Sequence, residues 1–327
     1  MTDAEKLYLG FDVGHTIRGA VIGGDGRILR QDRVVSEVAN SRAFIDQLVE
    51  MIQELAALPE VAGRVAAAGI GWPGLVNHRL QRVEAAPNIV DVSAFNLYEE
   101  LQAATGLPVV FDNDANAAAY GEWCCGAARG YNDVFYITMG TGIGSGLILG
   151  GQLQRGSRGF SGEFGHFKVE MDGLECACGS MGCLETLASG PNIVRRVREQ
   201  LFSDPSFSLS RLAKDMEGTL ACERVFQAAA EGDELARLVL RETGMILGTA
   251  IASVINLLNV EVVVIGGGVM AAGELMLGPI REEAEKRTMA PSFNSCRIVA
   301  AELGQDAGII GAALLARDAI NQNQRNA

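Results

Sequence analysis

LYLGFDVG at 7–14 and IRGAVIGG at 17–24 are short apolar-rich runs with a glycine-bearing turn between them. Such runs predict a pair of strands around a tight turn, and RILRQDRVV at 27–35 is a candidate third. The pattern then changes. Phe44, Leu48, Ile52 and Leu55 recur at helical spacing in SRAFIDQLVEMIQELAAL, 41–58. VAAAGIGWPG at 65–74 predicts a buried strand closed by a Pro-Gly turn. Ser93 is the expected cap of a short helix reaching about 104, and Pro108–Phe111 forms a strand that runs straight into a helix within NDANAAAYGEWCCGAA, 113–128.

The second half opens in the same way. DVFYITMG, 133–140, predicts a strand ending in the glycine turn TGIGSG, and the apolar LILGG follows as another strand. Helical patterns follow at about 191–203, 208–215, 221–231 and 233–258; EVVVIGG, 261–267, is a strand entering a glycine turn, and a last helix begins near Asp306. Strand, glycine turn, strand thus occurs near residue 12 and again near residue 140. The expected fold is α/β, with two related domains. The predicted division falls near 118–130, giving a small domain of 1–119 plus the C-terminal helix 306–327 and a large domain of 120–305. A plain doubly wound dinucleotide fold is disfavoured, because an apolar strand and not a helix follows G-T-G-I-G-S-G.

Composition narrows the function. A chain of 327 residues that is 48% hydrophobic can bury a large core. Its net charge of −13 argues against a nucleic-acid partner. The N-terminal residues lack a basic region followed by an apolar one, and the longest apolar candidate, 246–264, is interrupted by Thr249, Ser253, Asn256, Asn259 and Glu261. Neither a signal peptide nor a membrane span is expected. Seven cysteines, an odd number, suit a reducing cytoplasm better than a disulfide framework.

Four residues of one short stretch have metal-ligand spacing. Residues 165–185, GHFKVEMDGLECACGSMGCLE, place His166, Cys176, Cys178 and Cys183 as H-x9-C-x-C-x4-C. Thiolates and imidazole in a set of four predict a closed, structural Zn²⁺ site. Gly179 and Gly182 allow the tight backbone such a knot requires.

The surrounding residues carry a resemblance. ITMGTGIGSGLILGGQLQRGSRGFSGEFGH, 137–166, together with the knot and the following Leu184-Glu185, resembles the signature of the ROK family (repressors, open reading frames and sugar kinases), and the likeness extends from DVGHT at 12–16 to IGGGVM at 265–270. The resemblance implies two actin-like (ribonuclease H-like) domains with a ligand cleft between them and a zinc-binding loop. It implies ATP-dependent phosphorylation of a free hexose at its primary hydroxyl, with Mg²⁺. Glucose is the first expectation; N-acetylmannosamine, N-acetylglucosamine, fructose and allose are alternatives. A homodimer or homotetramer is the family's habit.

Residue by residue, the family pattern implies that Asp12 holds hydrated Mg²⁺, that Gly14 lets backbone approach phosphate, and that Thr16 donates a hydrogen bond to it. Gly140, Thr141 and Gly142 match the second phosphate turn, and Gly266, Gly267 and Gly268 the position beside adenosine. Asn113 and Asp114 match the sugar-side pair, with Asp114 as the base that accepts the hydroxyl proton while phosphate transfers. Glu163, His166, Glu185 and Asn88 match sugar contacts, and Gly74 the turn that floors the pocket. Asp112 reads more simply as a helix-capping residue. One departure is His15, where the family usually has glycine; the expectation is that its ring points away from the phosphates.

Two other classes compete. Repressors of the family place a helix-turn-helix ahead of the D-x-G-x-T motif, whereas Asp12 lies eleven residues from the first residue here, which favours the kinase. A sugar-binding protein without catalysis is suggested by His15 and opposed by the retained Asp12, Thr16, Asp114 and both glycine turns.

Overall fold

A computed structural model describes residues 6–37, 40–86, 92, 94–213 and 220–326. In chain order the first elements are β1 (Leu7–Asp12), β2 (Thr16–Gly23), β3 (Ile28–Val35), α1 (Ser41–Ala57), β4 (Val65–Trp72), β5 (Leu75–Asn77), β6 (Arg82–Ala85), α2 (Leu97–Thr105), β7 (Val109–Asn113) and α3 (Asp114–Cys125). They are followed by β8 (Val134–Met139), β9 (Ile143–Leu149), β10 (Gln152–Leu153), α4 (Glu185–Ala188), α5 (Gly190–Ser203), α6 (Cys222–Ala230) and α7 (Glu234–Leu258). The last are β11 (Val262–Gly266), α8 (Glu274–Arg287), α9 (Ala290–Asn294), β12 (Arg297–Ala300) and α10 (Ala307–Asn326). One sheet runs β3-β2-β1-β4-β7 and another β10-β9-β8-β11-β12. Numbered within each half of the chain, both have the order 3-2-1-4-5, which is the repeat that the two glycine turns suggested.

The chain clusters into two compact units, Met1–Asn132 with Gly146–Gly162 and Glu302–Ala327, and Asp133–Ser145 with Glu163–Ala301. Gly146–Gly162, which includes the end of β9 and β10, clusters with the first unit. Asn88 and Ser93 lie outside the described residues. The helix expected from Ser93 is α2, capped by the Asn96 side chain, which accepts the Glu99 N–H. In the expected 208–215 helix, Pro205–Leu209 instead forms a 3₁₀ turn, and 214 and 215 lie outside the described residues.

In the first unit, alternation along β1 decides both layers. Leu7, Leu9 and Phe11 face α1 and join Phe44, Leu48 and Ile52 in one core. Trp72, fully buried, sits edge-on to Phe44 and Phe111 with ring centroids 5.6 and 6.2 Å away. On the other face Tyr8, Ala20, Ile22 and Ala67 pack against Ile309, Ile310, Ala313 and Leu314 of α10. Here the helix backbone touches the sheet. A Cβ on Gly10 would lie 1.9 Å from the Ile309 carbonyl oxygen, and one on Gly69 1.8 Å from that of Ala312. Between helices, a Cβ on Gly311 would lie 1.6 Å from the Ala117 carbonyl oxygen. The buried Glu122 at the end of α3 accepts the N–H groups of Ala127, Glu302 and Leu303, tying α3 to the segment that enters α10.

In the second unit α7 is long and apolar enough to cross a membrane by length and composition. Leu240, Leu247, Ile251 and Ile255 are nevertheless fully buried in the protein, so α7 is a core helix. Gly244 and Gly248 let it pack against the backbone of α8.

Gly311→Ala should destabilise the fold by about 1–3 kcal/mol or more, since the clash is with main chain and not with a side chain that can rotate away. Thermal unfolding of the purified variant checks this; an unchanged Tm would mean that the α3–α10 contact is looser than described.

Candidate functional site

The first unit gathers its candidate residues at strand ends. β1 stops at Asp12, paired across the turn with Arg18. The turn is pinned from outside, with the Ser36 hydroxyl donating to the Gly14 carbonyl and the Ser36 N–H to that of His15 at 3.0 Å. His15 is exposed and Thr16 half-buried. The Asp12 carboxylate is 33% exposed and 4.0 Å from Arg18 Nη1. Arg18 is drawn off to Asp306 at 2.6 Å, and a Cβ on Gly308 would meet Asp12 Cγ at 3.2 Å. Burial pushes Asp12 up to about 6, with Arg18 opposing.

At the ends of β4 and β7 three adjacent polar residues take separate tasks. Asp112, 4% exposed, accepts the Asn113 N–H at 2.9 Å and the Asn116 Nδ2 at 3.0 Å, and its other oxygen is 2.6 Å from Arg155 Nε. Asn113 is the N-cap of α3. Its Oδ1 accepts the Asn116 N–H at 3.0 Å, while its Nδ2 donates to the Gly74 carbonyl at 3.1 Å. Gly74 has φ +97°, and a Cβ there would be 2.3 Å from the Ala85 carbonyl oxygen, so only glycine suits this turn. Asp114 is the first residue of α3, half-buried, and accepts the N–H of Ala115 at 2.8 Å. The capping job thus falls to Asn113 and the buried ion pair to Asp112. Nothing in the spacing points to Arg155, because its partner lies 43 positions earlier in the chain.

In the second unit the four predicted ligands do come together. One ligand atom from each of His166, Cys176, Cys178 and Cys183 lies within 4.8 Å of all the others. His166 Nδ1 is 3.7 Å from Cys176 Sγ, and Cys178 Sγ is 3.7 Å from Cys183 Sγ. Tetrahedral corners at about 2.3 Å from a zinc ion are about 3.8 Å apart, so the donor set and its spacing fit Zn²⁺. Gly179 and Gly182 have φ +82° and +69°, as the knot requires. Lys168 Nζ lies 2.8 Å from Cys183 Sγ, placing a positive charge beside the cluster. With Nδ1 turned to the knot, His166 Nε2 lies 3.9 Å from Glu163 Oε2. Burial holds the Glu163 carboxyl above its usual range; His166 opposes this and the nearby Glu185 reinforces it.

The glycine turn of this unit is closed by the Gly140 N–H donating to the Gly142 carbonyl at 2.9 Å. Gly140, Thr141 and Gly268 line one cavity of 460 Å³ with Val194, Leu220 and Phe226. Gly267, φ +87°, leaves no space for a side chain, since a Cβ would meet Met139 backbone at 2.3 Å. Gly266 closes β11 under the Tyr136 ring. Two of the glycine motifs legible in the sequence thus converge on one cavity, whose apolar walls come from α5 and α6.

These features belong to a known class of protein. Residues 8–319 match the ROK family, and the chain belongs to that family. It is 36% identical over 317 residues to a glucokinase of Streptomyces coelicolor, covering 95% of this chain and 98% of that protein. The structure of a ROK family glucokinase from Streptomyces griseus in complex with glucose and AMPPNP superposes with a TM-score of 0.83 at 36% identity, covering 95% of this chain and 99% of that one. A ROK family transcriptional regulator, a homolog of the E. coli MLC protein, superposes with a TM-score of 0.86 at 29% identity, covering 96% of this chain and 78% of that one.

Two expectations follow. Protein purified without chelators should carry about one zinc per chain, and Cys178→Ser should lose metal and thermal stability together, as metal analysis and unfolding curves would report. Between pH 3.8 and about 6 the folded chain holds a proton on Asp12 that the unfolded chain has released. Ionising Asp12 therefore lowers stability across that window, and the loss persists above it. Asp12→Asn should then match or exceed the native Tm at pH 8, with the difference shrinking toward pH 4.

Proposed function

We propose that this protein is an ATP-dependent hexose kinase of the glucokinase type. The observation that carries the reading is the convergence of Gly140, Thr141 and Gly268 on one cavity that Val194, Leu220 and Phe226 also line. Backbone N–H groups and a hydroxyl at one end suit a polyphosphate, and Val194, Leu220 and Phe226 suit a purine ring. The glucokinase relatives support glucose as the acceptor. Other hexoses are outcomes of the assay.

In this reading the first unit supplies acceptor chemistry. The sugar's primary oxygen forms the new bond to the γ-phosphorus as the bond from that phosphorus to the departing ADP oxygen breaks, and the hydroxyl proton passes to the Asp114 carboxylate. The transition state is loose, so Asp114 acts mainly by positioning the hydroxyl, with proton uptake late. Asp114 is half-buried at the first position of α3, next to the cap Asn113 and the ion-paired Asp112. Asp12, with Gly14 and Thr16, would hold Mg²⁺ directly or through water; the ion would neutralise charge on the phosphates. Asn113, Gly74 and Asn88 of the first unit, and Glu163, His166 and Glu185 of the second, are the proposed sugar contacts. Carboxylates suit that task because each can accept from two vicinal hydroxyls. Zinc would serve as a brace, holding the loops that carry Glu163 and Glu185.

The regulator structure favours a second reading, a sugar-responsive regulator that binds hexose without turnover. Purified protein with ATP, Mg²⁺ and a panel of hexoses separates the two. Glucose-dependent ADP formation is expected; sugar binding by calorimetry with no turnover on any hexose would transfer the conclusion to the regulator. Asp114→Asn should keep the fold and much of the sugar affinity while kcat drops roughly 10²–10⁴-fold. Turnover within a few-fold of native would remove Asp114 from the base role.

A further inference from the structure

Glu185 makes contacts that a sugar ligand does not require. Its Oε2 accepts the backbone N–H of Ile143 at 2.8 Å, and a Cβ on Gly142 would lie 2.5 Å from the same oxygen. The 140–142 turn is therefore pressed backbone-first onto this carboxylate. Five positions later the N–H of Gly190 donates to the Gly140 carbonyl at 2.8 Å. Both flanks of the turn are thus bonded to one short segment, 185–190. That segment is separated from Cys183, the last residue of the knot, by Leu184 alone. The carbonyl of Cys183 accepts both the N–H and the hydroxyl of Thr186, at 3.0 and 2.7 Å. Asn192 closes the other end, its Nδ2 donating to the Glu185 carbonyl at 2.9 Å and to the Ser189 hydroxyl at 2.8 Å. Cys183 and the glycine turn sit at opposite ends of one hydrogen-bonded run of chain.

We propose that Glu185 is a positioning residue through which zinc in the Cys/His knot and nucleotide at the 140–142 turn strengthen each other's binding. The proposal rests on the nucleotide reading of that turn. Without the ion, Cys183 and the run after it gain conformations, and both anchors of the turn loosen with them. Ordering the turn around a polyphosphate then carries an entropic cost that the zinc-loaded protein has already met. Linkage is reciprocal, so a nucleotide that holds the turn in place must raise zinc affinity by the same factor.

The test is equilibrium competition for zinc between the wild-type protein and a chromophoric chelator, with and without saturating AMPPNP and with no sugar present. Calorimetry measures AMPPNP affinity separately. Apparent zinc affinity should rise by roughly 5-fold or more with nucleotide, within the usual range of coupling between sites. Glu185→Ala should weaken AMPPNP binding without sugar and bring the zinc ratio near one. Glu185→Gln should retain most of both, because an amide oxygen can still accept the Ile143 N–H. If AMPPNP binds wild-type protein normally and zinc affinity does not move, the coupling is overturned while the nucleotide reading stands. If AMPPNP does not bind at all, both fall. If Glu185→Ala changes sugar affinity alone, Glu185 is a sugar contact and not a positioning residue.

Discussion

The first unit depends on a backbone-to-backbone contact. α10 lies so close to β1 and β4 that the carbonyls of Ile309 and Ala312 occupy the space where side chains at Gly10 and Gly69 would be. The same helix meets α3 at Gly311. Overpacking against main chain cannot be relieved by a rotamer change, so these positions are constrained more tightly than the apolar core around them. Asp12 follows Gly10 by two residues on the same face of β1, and Asp114 starts the helix that α10 clamps. The contact joins residues about three hundred apart in sequence, so the candidate acid–base and metal-binding carboxylates take their places only when the chain's end has docked.

The run Asp112-Asn113-Asp114 shows how neighbouring polar residues acquire different chemistry. Asp112 is buried, and a buried carboxylate is tolerable only with a charge partner and further hydrogen bonds. Arg155, Asn116 and the Asn113 N–H provide them. Asn113 satisfies an orphan N–H of α3 and also holds the Gly74 turn. Three consecutive polar residues thus end in three settings: a buried ion pair at Asp112, a helix cap at Asn113 and the first helical position at Asp114.

The second unit gathers its four candidate metal ligands in a stretch with little regular structure. Residues 167–184 contain no α-helix and only isolated bridges, Lys168 with Cys183 and Glu175 with Met181. A metal held by the four clustered ligand atoms would restrain this stretch further. From Cys183 the hydrogen bonds run on through Thr186, and Glu185 reaches the 140–142 turn at the Ile143 N–H.

Much of this was legible in the sequence by itself. Short apolar runs around a glycine turn marked β1 and β2, helical spacing marked α1 and α7, and the H-x9-C-x-C-x4-C spacing marked the candidate ligands, because each signal lies within a short window and reflects local geometry. α8 escaped notice because Pro279 and a run of charged residues break its apolar pattern, yet Pro279 sits inside the helix. The hairpin β5–β6 and strand β12 are only three or four residues long, too short for a period to register. Other features were decided by tertiary structure alone. That Asp112 pairs with Arg155, that Gly140, Thr141 and Gly268 share a cavity, and that Glu185 braces the Ile143 N–H all depend on where separate segments come to rest. Residue order records what a segment can do locally; which distant donor meets which acceptor is set by packing, and here by how closely glycine backbones allow that packing to approach.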